Sequence, residues 1–276
     1  MGMFDGFWNI GNGGWRKRHG EPRNRRELFK CVLSDQLFSI IFLNFFYGLF
    51  FAPAVLWAVT ILIQTLNYFA AGDTASGIRM VTTLCIGLIP LITLTGPARA
   101  GMARVMRDWA IEECVPPLRT FWAAFRSNWK QSLVPAFISS IFPLVLWNGF
   151  HLATSGSARS VFGVLFALCS IIAAVWLLAQ QIIYPLIVTY DLPIKGQLRN
   201  ALLLTIMTLP RTLLVFLGSL FFIWIYVMFI LIRPEMYVAL LIIPILYYFF
   251  IGWCLTDLVN ASYAHYLFDK YFADKK

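Results

Sequence analysis

Six apolar runs divide this chain, and the connections between them alternate between rich and poor in basic residues. The runs lie at about 37–66, 80–95, 132–152, 161–190, 212–232 and 236–258. A bilayer core needs about 20 apolar residues of helix, so most are long enough to cross it. Residues 80–95 are short, and need neighbouring residues or local thinning. Of the 22 Lys and Arg residues, all but Arg79, Arg159 and Arg233 fall in the N-terminal segment, the second and fourth connections and the tail. By the positive-inside rule both termini and the two long connections are cytoplasmic. The expected architecture is all-α: a polytopic bundle of about six spans with cytoplasmic interfacial helices. A basic arm over 1–30 precedes a single transmembrane domain over 31–276, in the plasma membrane.

Composition agrees. The chain is 60% hydrophobic, far above a soluble domain. Its net charge of +9 is spread over four segments as a topology signal, which argues against nucleic acid as a partner. Anionic headgroups of the inner leaflet are the expected counter-charge, at about 1 kcal/mol per basic residue near the surface. The first 26 residues mix Gly, Phe4, Phe7, Trp8, Trp15 and a basic cluster. They read either as a segment lying on the membrane or as a disordered arm that only sets orientation.

The second connection carries the most pattern. Gly96-Pro97 closes the second span and opens a helix over about 97–113, with Pro97 suited to its first turn. Arg99, Arg104 and Arg107 decorate it, and Asp108 stands i+4 from Arg104. After Pro116-Pro117 a second helix is expected to about residue 131. There Leu118, Phe121, Trp122, Phe125 and Trp129 share one face, and Arg119, Arg126 and Lys130 an adjacent one. This is the pattern of a helix lying in the interface plane, aromatics inward and cations toward phosphates. The alternative is an ordinary helix packed on protein. In the fourth connection Asp191 is placed to cap a helix starting near Pro193, and Pro210-Arg211 opens the fifth span.

Reactive chemistry is missing from the pattern. The histidines, His19, His151 and His265, have no acidic neighbour at metal-ligand spacing, and no nucleophile-elbow or phosphate-loop motif occurs. Cys31, Cys85, Cys114, Cys169 and Cys254 are far apart and suggest neither zinc nor a disulfide framework. No catalytic, cofactor-binding or metal-binding residue is expected. Asp257 is the only carboxylate inside the last helix, and so is a functional candidate. It also reads as half of a salt bridge to Arg99, Arg104 or Arg211. Asn44, Gln180 and Gln181 lie in apolar runs. They either bond across helices or line a solute path.

Two stretches resemble a known family. Gly96-Pro97-Ala98-Arg99-Ala100-Gly101-Met102, with Phe121, Phe125-Arg126 and Asn128 to Gln131, is similar to the signature of the YesL family of bacterial membrane proteins. So is the series Tyr184-Pro185-Leu186, Asp191, Leu198, Asn200-Ala201 and Leu209-Pro210. Gly101 stands where that family usually has Ala, and Tyr190 where Phe is common. The resemblance implies a six-span accessory subunit of an ATP-driven importer of complex carbohydrates, with permease subunits as partners. From the residue pattern itself, Arg99, Arg104, Arg107, Trp122, Arg126, Trp129, Lys130 and Asp257 are the expected contacts to partner or headgroup. Gly96, Pro97, Asp191 and Pro210 are expected to shape turns. The competing expectation is a stand-alone carrier or channel for a small solute.

Overall fold

The computed structural model describes residues 32, 36–111, 115–155, 159–232 and 237–272. The N-terminal arm, Cys31, Asp35, Cys114, Arg233, Lys275 and Lys276 fall outside that set. The helices are α1 (Leu37–Ala70), α2 (Thr74–Thr93), α3 (Gly96–Ala110), α4 (Pro117–Ser127), α5 (Trp129–Ser155), α6 (Arg159–Thr189), α7 (Ile194–Met207), α8 (Leu209–Ser219), α9 (Phe221–Ile232), α10 (Tyr237–Tyr247) and α11 (Trp253–Phe272). A π-helical turn, Tyr248–Gly252, joins the last two. Among the described residues five helical runs are long and apolar enough to cross a membrane: α1, α2, α5, α6 and the run Ile242–Phe272. A sixth is counted if α7 and α8, bent by 94°, form one broken span. This is a polytopic, membrane-type helical bundle.

The second span is longer than its apolar run because helix begins inside the polar turn. The Asp73 carboxylate accepts the Ser76 amide, capping a helix that starts at Thr74. Twenty residues then reach Thr93, enough to cross. The run at 212–232 is divided instead, α8 and α9 meeting at Leu220. Pro210 sits in the first turn of α8, where its missing N–H costs nothing. Asp191 does not cap α7. The N-cap position is Pro193, and no side chain bonds there.

The largest departure from the sequence pattern concerns α3. Rather than resting on a surface, it is buried among α4, α5, α6 and α11. Eleven of its 15 residues are buried, from Gly96 to Trp109. Small residues permit this. A Cβ on Gly101 would lie 2.9 Å from the Phe121 carbonyl oxygen, and one on Gly96 would overlap the Ser132 backbone. Close helix approach through Gly and Ala is how membrane proteins gain packing where the hydrophobic effect offers little.

Helix α4 also packs on protein. Its aromatic face meets α1: Phe121 and Trp122 lie edge-on to Phe46, with centroids 5.4 and 5.9 Å away, and Phe125 lies 5.7 Å from Phe50. Trp129 is not part of that face; it begins α5 and is exposed. Edge-on aromatic pairs contribute about 0.5–1.5 kcal/mol beyond area burial, which favours protein over lipid as the neighbour.

Candidate functional site

Packing α3 inside the bundle brings its first turn against the midsection of the molecule and leaves a polar cavity there. The cavity has a volume of about 170 Å³ and is walled by α1, α3, α6, α8 and α11. Three local features build it.

The first is the π turn. Its shifted register leaves backbone groups without ordinary helical partners, and Asn44 on α1 supplies them. The Asn44 amide donates to the carbonyls of Tyr248 at 2.9 Å and Phe249 at 2.8 Å, and its oxygen accepts from the Cys254 amide at 3.1 Å. Asn44 is therefore committed to helix pairing and does not face a pore. The widened turn sends Tyr248 and Trp253 into the cavity wall. Such turns recur at functional sites.

The second is the α6 amide pair. Gln180 accepts from Arg99 Nη1 at 3.0 Å, and the Arg99 guanidinium lies 4.8 Å from the Tyr184 ring centroid. Gln181 donates to the Thr212 carbonyl at 3.3 Å. Asn148, by contrast, bonds only the Leu144 carbonyl of its own helix.

The third is the polar turn of α11, where Thr256, Asp257 and Asn260 face the same space. Asn260 lies within reach of the Asp257 carboxylate, and Arg99 and Tyr47 lie within its electrostatic range. Arg99 and Asp257 make no ion-pair contact among the described residues. The cavity thus holds one cation and one anion on different helices, held apart.

Five buried polar atoms lining this space have no hydrogen-bond partner among the described residues: Gln180 Nε2, Gln181 Oε1, Tyr184 OH, Thr256 Oγ1 and Asn260 Oδ1. Each such group costs about 1–3 kcal/mol when left unmade. A set concentrated in one place belongs to a site completed by something that hydrogen-bonds.

The other expected contact residues go elsewhere. Arg104 pairs with Asp108 at 3.0 Å and donates to the Val188 carbonyl at 3.1 Å. Arg107 reaches that carbonyl at 3.5 Å and Asp108 at 3.6 Å. Together they supply donors to the Val188 carbonyl in the last turn of α6. Arg126 lies 5.9 Å from the Trp122 ring and is itself exposed, as are Arg119, Trp129 and Lys130. Gly96 and Pro97 are buried at the start of α3. The residues that sequence reasoning did not join are Tyr47, Tyr184, Thr256 and Asn260. Their signal was helical spacing, Gln180–Gln181–Tyr184 on one apolar helix and Thr256–Asp257–Asn260 on another.

Among the described residues no group of His, Cys, Asp or Glu is arranged to hold a metal ion. Residues 40–150, from α1 through α5, match the model of a family described as a protein of unknown function, DUF624. No curated protein and no solved structure matches the chain.

Proposed function

We propose that this chain is a non-enzymatic membrane subunit working beside the permease of an ATP-driven carbohydrate importer. It sits in the plasma membrane with the α3–α4 end and both termini cytoplasmic. One observation carries the docking part of this reading. The fold engages Arg99, Arg104 and Arg107 internally, but leaves Arg119, Arg126, Trp129 and Lys130 outward. These four stand at the α4–α5 corner, which is fastened to α1 by its aromatic face. A rigidly held ridge of cations and one exposed indole suits acidic permease loops or anionic headgroups. The resemblance to a family found with such importers supports the same setting.

The test is gentle solubilisation followed by identification of co-purifying proteins. Arg119→Glu, Arg126→Glu and Lys130→Glu together should reduce permease recovery at least about tenfold, since like-charge contacts cost several kcal/mol. Unchanged recovery, with an unchanged melting temperature, would sink the docking assignment. A second reading, a stand-alone carrier, is favoured by Gln180 and Gln181 lining the cavity. Purified protein moving a solute in liposomes without any partner would establish it.

A further inference from the structure

The cavity has two chemically distinct poles. On the α3–α6 side stand the Arg99 guanidinium and the unpartnered Gln180 Nε2, both donors. On the α11 side stand the Asp257 carboxylate and the unpartnered Asn260 Oδ1, both acceptors. Gln181 Oε1 adds an acceptor from a side chain only 5% exposed. The Tyr184 and Thr256 hydroxyls can serve either way, and Tyr184 is 4% exposed.

A charge inside a bundle is expensive unless it is paired or hydrogen-bonded. Here the two charges could have relieved each other by direct contact, yet they do not touch. A neutral polyol would satisfy the amides and hydroxyls but neutralise neither charge. An anion alone would answer Arg99 and be repelled by Asp257; a cation alone would meet the reverse. A ligand carrying both signs satisfies both poles. Tyr47, Tyr248 and Trp253 line the same space, and aromatic rings attract an ammonium group presented to their faces. Size narrows the class further. The volume of about 170 Å³ lies below the range of pockets for drug-sized ligands and favours a small molecule.

We propose that this cavity is a binding site for a small zwitterion of the free α-amino-acid type. The carboxylate lies against Arg99 and Gln180, and the ammonium against Asp257 and Asn260. The inference stands on the cavity and not on the importer reading, so either can fail alone.

The experiment uses the full chain in nanodiscs and measures equilibrium retention of radiolabelled free glycine. Glycerol, acetate and methylamine serve as unlabelled competitors beside alanine. The expected result is saturable retention of glycine, displaced by alanine but not by the other three. Arg99→Gln and Asp257→Asn should each lower affinity at least about tenfold, the worth of one charge-assisted hydrogen bond. Failure of the wild-type protein to retain glycine saturably would overturn the proposal. So would displacement by glycerol as effective as by alanine. If either variant fails to fold, the competition series on the wild-type chain decides the matter unaided.

Discussion

Helix α6 passes through two different environments, and the contrast between its halves describes the whole molecule. Every buried residue it contributes lies between Trp176 and Val188. Its earlier half turns Val161, Val164, Leu165, Leu168, Ile171 and Ile172 outward. The same division runs through the bundle. At one end the start of α1, the apolar residues of α3, the aromatic face of α4, the later half of α6, part of α7 and much of α11 form two contiguous cores. At the other end α1, α2, α5 and α6 make a thin sheaf, linked by indole bonds such as Trp147 to Thr82 at 3.1 Å. A membrane protein needs no thick core where lipid solvates its side chains. It needs one where polar groups and charges must be held in place.

The contrast can be broken most severely at Phe121, which is fully buried between α1, α3 and α4. Phe121→Ala should cost about 3–5 kcal/mol, the range for emptying an aromatic site. The change should also release α4, which thermal unfolding together with protease access at the α4–α5 corner would detect. A cost near zero would mean that α4 is not fastened to α1.

Next comes Asn44, whose single amide satisfies three backbone groups around the π turn. Asn44→Leu should cost up to about 3 kcal/mol, because buried carbonyls and an N–H lose their partners. The π turn should relax toward ordinary helix. That shift would rotate Tyr248 and Trp253 relative to Asp257, so ligand retention by the cavity should fall along with the melting temperature.

A paired glycine experiment sharpens the comparison between the two ends. Gly101→Ala, with the Phe121 backbone in the way, should lose about 1–3 kcal/mol through overpacking. Gly163→Ala, in the outer half of α6 with nothing within 4 Å, should be neutral or gain up to about 1 kcal/mol from helix propensity. Equal effects on melting temperature at the two positions would erase the distinction between the ends.

The spans were legible because apolar length reports contact with lipid directly. What hydropathy cannot report is burial within the protein, and α3 is where that matters. Its arginines and its position between spans read as a surface helix. The contrary signal, Gly96, Ala98, Ala100, Gly101 and Ala103 in one short stretch, is a packing signal rather than a hydropathy one. For α4 the aromatic periodicity was visible in Phe121, Trp122 and Phe125, but an aromatic face suits an interface and a protein neighbour equally. Although α11 continues past the last apolar run and carries Asp269 as well, Asp257 stood out as the sole carboxylate of that run. Its opposition to Arg99 did not, because those residues are far apart in sequence and only the burial of α3 brings them to one cavity. Asp191 misled for a simpler reason: Pro193 already supplies an extended backbone before α7, and no side-chain cap forms.

The smallest expected effect lies at the thin end, where α2 begins. There the Ser76 hydroxyl and amide hold the exposed Asp73 carboxyl below the usual carboxylate range. A carboxyl whose folded value is depressed contributes stability above its unfolded value and loses it as pH falls through the folded one. Acidification below about pH 4 should therefore loosen the first turn of α2 without opening the thick end. Hydrogen exchange at the Ser76 amide, compared with the buried Val105 amide of α3, would follow this. Asp73→Asn keeps an oxygen acceptor at the cap, so it should protect the Ser76 amide at neutral pH and remove most of the acid sensitivity. Acid-driven exchange at Val105 in step with Ser76 would show instead that the two ends unfold as one unit, and that the division along α6 has no counterpart in stability.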